Sequence, residues 1–175
     1  MKRIVSVFLL AIAAAAAAAA GAQEPSASGD LKAMVLKHLR TSEEFTVKVA
    51  EAMPESDYDF KLTPDQMTFG GQITHLTQAV LHYLAPLAAD KPSASKPAST
   101  KKADVIAFVK ASFDRSIDDV SKLSADDFNK GYKMGNRPMT GMELILGMFV
   151  HTAHHRSAAE MYLRAKGITP PTYEF

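Results

Sequence analysis

Histidine is the residue type in this chain best placed to do chemistry. The 175 residues contain 6 His and no Cys. Three of the six fall within five positions, in the run His151-Thr152-Ala153-His154-His155-Arg156. Imidazole can ligate a divalent metal, carry a proton or act as a general base near neutral pH. The absence of Cys excludes disulfides, a thiolate nucleophile and iron–sulfur ligation. Any metal site must therefore be built from His and carboxylates.

Helix geometry sharpens this. Positions four apart differ by about 40° in azimuth, so His151 and His155 share one helix face, while His154 stands about 60° to the side of His151. The shared face also carries Leu144, Met148, Ala158 and Tyr162, so it points into the protein. Two neighbouring imidazoles in a poor dielectric cannot both be charged, and their pKa values should fall. A divalent cation resolves the conflict, because neutral imidazole offers it a lone pair at about 2.0–2.1 Å. The same spacing occurs in HExxH metalloprotease helices, but Thr152 follows His151 here in place of Glu. The base of that peptidase chemistry is missing.

Two imidazoles make a weak site, so a third ligand must come from another helix. His75 and His82 both flank the apolar stripe of the second helical segment, about one heptad apart, and geometry alone does not choose between them. The competing reading is a set of core His satisfied by hydrogen bonds. His38 reads as a structural or surface residue of the first helix. Met134, Met139, Met142, Met148 and Met161 read as core filling, and Lys91, Lys96, Lys101 and Lys102 as charges on a solvated loop.

The elements that must position these residues follow from periodicity. Leu31, Met34, Val35, His38, Leu39, Phe45, Val49 and Met53 form a 3.6-type stripe, with Asp30 as N-cap and Pro54 as terminator. Residues 55–68 connect to the next helix, and the alternation of Tyr58, Phe60 and Leu62 predicts an extended segment. The second helix runs from residue 68 or 69 to about 88, with Pro86 kinking or ending it. A Pro/Ser/Lys-rich loop fills 90–102. The third helix spans about 103–123, a short helical turn follows at Ser124, and residues 131–138 read as a loop. Thr140 and Glu143 form a capping box at the start of the fourth helix. That helix runs to about Lys166, where Gly167 and Pro170-Pro171 stop it. The four amphipathic segments carry no strand-like hairpin signals, so the fold class is all-α, a four-helix bundle.

Ahead of the bundle, residues 1–22 read as a cleavable signal peptide. Lys2 and Arg3 lead an uncharged, Ala-rich run that ends in Ala20-Gly21-Ala22, with cleavage expected before Gln23. Residues 23–29 form a polar tether, and residues 30–175 the bundle. The expected location is periplasmic or secreted, with no lipoprotein Cys and no stable membrane anchor after cleavage. The 20 Lys+Arg balance 19 Asp+Glu, which argues against a nucleic-acid partner.

Three segments together resemble one family: FGGQITHLTQA at 69–79, HTAHHR at 151–156 and YLRAKGITPP at 162–171. In order and spacing they are similar to the DinB/YfiT-like superfamily of helical-bundle metalloproteins, across essentially the whole bundle. The resemblance implies that His75, His151 and His155 are the metal ligands, and that His82, His154 and Tyr162 line the pocket or stand behind the ligands. The chain departs from the family's common HHRG-Q pattern at Ser157 and Ala158. The cofactor implied is a divalent metal, with Zn or Ni best suited to His-only ligation. Three neutral His leave positions open for a small-molecule substrate. The expected function is a metal-dependent hydrolase, or a transferase using a thiol. An exported location disfavours the thiol chemistry, and no catalytic side chain is identifiable, since Glu160 lies about 180° from His151. A non-catalytic metal- or ligand-binding envelope protein is the alternative, and a homodimer is left open.

Overall fold

The computed structural model describes residues 27–90 and 95–174; the signal-peptide reading lies outside them. Four helices dominate: α1 (Ala27–Ala52), α2 (Phe69–Leu84), α3 (Lys102–Ser121) and α4 (Gly141–Ala165). A two-stranded antiparallel hairpin, β1 (Gly131–Met134) and β2 (Arg137–Thr140), leads directly into α4. Among the described residues, no helix is long and apolar enough to cross a membrane.

The core forms where the four apolar stripes meet. Leu39, Phe45, Val49, Phe69, Ile73, Leu76, Phe113, Leu144, Ile145, Met148 and Tyr162 are almost wholly buried. Each such side chain is worth about 1.5–3 kcal/mol of transfer free energy, more than any single cap, so packing and not propensity holds the bundle. The most extensive helix–helix contact is α2 on α4, then α1 on α3 and α2 on α3, whereas α1 and α4 touch sparingly. Lysines tie α1 to α3 at both ends. Lys102 donates to the carbonyls of Glu51 and Met53 at the end of α1 (2.7 and 2.8 Å), and Lys32 donates to the carbonyl of Leu123 just beyond α3 (3.0 Å). Cations at helix C-termini complement the dipole and satisfy orphan carbonyls. Lys102 is therefore a capping group and not the solvated loop charge its surroundings in sequence suggested.

Several local expectations are corrected. Helix α1 begins at Ala27, so Asp30 lies inside it and is not its N-cap. A helix nucleated by docking can propagate into a polar flank. The 55–68 connection is not extended: it opens with a 3-10 turn at Glu55–Asp57, buries Tyr58 and leaves Leu62 exposed. Tyr58 Oη donates to Ala50 O (2.7 Å), and the start of α2 is fastened to this segment by Gly70 N donating to Tyr58 O (2.9 Å). Helix α2 ends at Leu84: Ala85 still has α geometry (φ −52°, ψ −38°) and bonds back to Leu81 O, but Pro86 brings no N–H to extend the ladder. The 131–138 loop is a hairpin in which Tyr132 faces Met139 and Lys133 faces Pro138. Its signal was Gly135-Asn136: Gly135 has φ +62°, the sign that a type II′ turn needs at its first central position. The capping box at α4 is as expected, with Thr140 accepting from Glu143 N and Glu143 accepting from Thr140 N.

Candidate metal centre

Helix α2 is aimed by its first turn. Thr68 caps it by accepting from Gly71 N at 3.0 Å. At Gly70 a Cβ would lie 3.0 Å from the ring of Tyr58, so the missing side chain is what lets the connection pack against the helix start. Tyr162 of α4 reaches across to donate to Met67 O at 2.6 Å, fixing the entry from the other side. Further along, Gly147 of α4 lets α2 approach closely: a Cβ there would come within 2.7 Å of the Tyr83 ring. Tyr83 in turn lies against His151, with ring centroids 5.9 Å apart.

This close α2/α4 packing brings three imidazoles together. His151 Nε2 lies 3.2 Å from His75 Nε2. The ring centroids are 4.4 Å apart for His75 and His155, and 4.6 Å for His151 and His155. One ring nitrogen from each of the three falls within 4.8 Å of the others, and all three residues are half-buried. Two nitrogens about 2.05 Å from one ion at the tetrahedral angle would be about 3.3 Å apart. The observed 3.2 Å therefore suits a shared divalent ion. The donor set, three imidazole nitrogens without sulfur, suits a borderline divalent cation.

Gln72 is the residue that sequence reasoning missed. It is 7% exposed and accepts through Oε1 from His155 Nδ1 at 2.8 Å. That bond puts the proton on Nδ1 and leaves Nε2 free as the lone pair, the outer contact that orients ligand His residues. Its signal was present: Gln72 precedes His75 by three positions and so shares its face of α2.

Electrostatics favour the neutral rings. Burial, reinforced by the neighbouring His75, pushes His151 below its ordinary pKa. The same causes bring His155 down to about 4. Among the described residues, the metal-capable cluster contains no carboxylate.

The remaining candidates lie around this cluster. His154 is exposed and stands edge-on to His155, centroids 4.9 Å apart. His82 is exposed one heptad along α2 from His75, about 10.5 Å along the axis, with its ring near Tyr83. Tyr162 is buried, but it is two turns from His155; its ring packs on Phe60 and Phe69 and its hydroxyl serves Met67. It positions α2 and donates to none of the three imidazoles. Thr152, in the place of the metalloprotease Glu, is fully buried with its hydroxyl against Met148 Sδ. Glu160 pairs with Arg164, in keeping with its place on another face.

Comparison with known proteins agrees with this architecture. A family model described as the DinB superfamily matches residues 38–159. No curated protein matches the chain. Two solved structures resemble it in fold. A DinB-like protein from Bacillus cereus ATCC 10987 superposes with TM-score 0.71 at 18% identity, covering 80% of this chain and 95% of its own. A DinB-like protein from Bacillus subtilis gives TM-score 0.68 at 16% identity, covering 81% and 97%.

Proposed function

The chain belongs to the DinB superfamily, and from that premise we propose that it is a metal-dependent protein whose divalent ion, Zn or Ni, is held by His75, His151 and His155. The observation that carries this reading is the meeting of His75 from α2 with the i, i+4 pair of α4, three ring nitrogens within 4.8 Å. When bound, such an ion supplies Lewis acidity to a water or thiol ligand. The protein's own part is to keep His151 and His155 neutral by burial and to hold His155 in one tautomer through Gln72. The activity proposed is hydrolysis, or group transfer to a thiol, on a small molecule. The proposed location is the periplasm or exterior.

The test is turnover of a panel of small esters, lactones and amides by the metal-loaded protein, before and after chelation. Turnover that chelation abolishes and Zn or Ni restores supports an enzyme. Metal uptake with no turnover supports the second reading, a non-catalytic metal-binding protein. That second reading is favoured by one observation, the absence of a carboxylate from the cluster among the described residues.

Two further outcomes are expected. Gln72→Leu keeps the apolar bulk but removes the acceptor from His155, and metal affinity should fall about 10–100-fold by equilibrium dialysis. The pH dependence follows from the lowered pKa values of His151 and His155. As pH falls, the unfolded chain takes up protons near pH 6.5 while the folded rings resist. The metal-free protein should therefore lose stability from pH 6.5 down towards about 4. For the same reason, metal content after dialysis at stepped pH should persist below pH 6.5, the ordinary imidazole value, and be lost as pH approaches 4. Loss complete at pH 6.5 would contradict this.

A further inference from the structure

On the other flank of α4, the sparse α1/α4 seam opens into a cavity. Its volume is about 340 Å³, and Met34, Met142, Leu146, Phe149 and Ala153 form much of its wall. That lies at the lower end of the range for small-ligand sites, about 300–1,000 Å³. Arg156 also contributes to the wall. This residue is only 8% exposed, and among the described residues no carboxylate pairs with it.

The groups that touch Arg156 are neutral; the Glu160 carboxylate acts on it electrostatically without an ion-pair contact and pairs with Arg164 instead. Arg156 Nη1 donates to Ser42 Oγ at 2.9 Å, and to Ser42 O and Thr46 Oγ1 at 3.4 Å. The guanidinium lies 4.6 Å from the centre of the Phe45 ring. Among the described residues no hydrogen bond leaves Nε or Nη2, yet neither is a sealed, unsatisfied atom. Those two atoms form the side-on fork that takes a carboxylate through two parallel hydrogen bonds. A buried cation without a counter-ion is costly unless something anionic answers it. The one acid on the cavity wall, Glu174, is paired with Lys48.

We propose that the α1/α4 cleft binds a monocarboxylate with an apolar tail, the carboxylate on the free fork of Arg156 and the tail along Met34, Leu146 and Phe149. The exposure of Met34 (46%) and Leu146 (56%) suits the outer end of such a tail. This site is separate from the imidazole cluster, since His155 faces α2 whereas its neighbour Arg156 bonds to α1.

The probe is decanoate, titrated calorimetrically into the protein and followed by its effect on the thermal midpoint. One saturable site is expected, with decanol at least about tenfold weaker, because it cannot make the charge-assisted pair. Arg156→Met should weaken decanoate by a similar factor while keeping the buried stem. Ala153→Leu fills the cavity, leaves the guanidinium in place and should also weaken binding. His75→Ala should bind decanoate as the wild type does, which separates this site from the proposed metal centre. Three results would overturn the proposal: no saturable uptake, equal binding of decanol, or unchanged affinity in both Arg156→Met and Ala153→Leu. A dimer that Leu146→Glu dissociates, with no decanoate uptake, would assign the cleft to self-association and likewise overturn it.

Discussion

His75→Ala should abolish stoichiometric metal binding. His75 is the only ligand candidate from α2; without it His151 and His155 remain as a bare i, i+4 pair on α4. Loss of an outer contact alone costs about 10–100-fold in affinity, so loss of a ligand should cost about 100-fold or more. The effect reads directly in stability. With free Zn or Ni at a hundred times Kd, the wild type gains about 2.7 kcal/mol. A variant bound a hundredfold more weakly gains only about 0.4 kcal/mol at the same concentration. Elemental analysis and thermal melts with and without metal check both statements. In the absence of metal the variant should stay within about 1 kcal/mol of the wild type, since one polar contact, His151 to His75, is removed. Equal metal content in the two proteins would remove His75 from the site.

Gly141→Ala should be among the most damaging single-methyl changes in the chain. Gly141 is the first residue of α4 and is buried, and its N–H donates to Lys130 O at 3.1 Å. A Cβ there would sit 2.1 Å from Asp127 O and 3.1 Å from the Asp127 carbonyl carbon. Both are backbone atoms, so no rotamer change relieves the clash. The 3-10 turn carrying Asp127 must move away from the start of α4 instead. That turn is braced, because Asp127 accepts from Ser124 N, Ser124 Oγ and Tyr132 Oη. Overpacking costs about 1–3 kcal/mol, and here the upper end is expected, a fall in Tm of roughly 6–12 °C for a domain of this size. Gly131→Ala is the control, because nothing lies within 4 Å of its added Cβ. It should stay within about 0.5 kcal/mol of the wild type. A Gly141→Ala protein that melts with the wild type would show that the 3-10 turn at Asp126–Phe128 and the α4 start are free to separate.

Much of the bundle was legible because burial on one face leaves a periodic trace. The stripes of α1 to α4 located four helices, and the Thr140/Glu143 box and Gly167 marked the ends of α4. The hairpin escaped because its strands are only four residues long: Gly131–Met134 alternates over too short a span to stand out, Arg137–Thr140 does not alternate, and the Gly135-Asn136 turn was the clearer local signal. The connection at 55–68 misled because alternation also arises in a folded turn that buries Tyr58, half-buries Phe60 and leaves Leu62 exposed.

For the candidate site, local helix geometry was enough to put His151 and His155 on one inward face, since i, i+4 spacing is a property of the backbone alone. The same holds for Thr152 and Glu160, which turn to other faces. Whether His75 or His82 meets that pair could not follow from periodicity, because both flank the same stripe and differ by about one heptad. Their difference is height along α2, about 10.5 Å, and height is set by how α2 slides against α4. That offset is decided by contacts distant in sequence: Tyr58 against Gly70, Tyr162 on Met67 and Gly147 under Tyr83. Gln72 behind His155 and the lone guanidinium of Arg156 beside α1 depend on the same long-range packing. A sequence states which face a side chain occupies; only the docked helices state what stands opposite it.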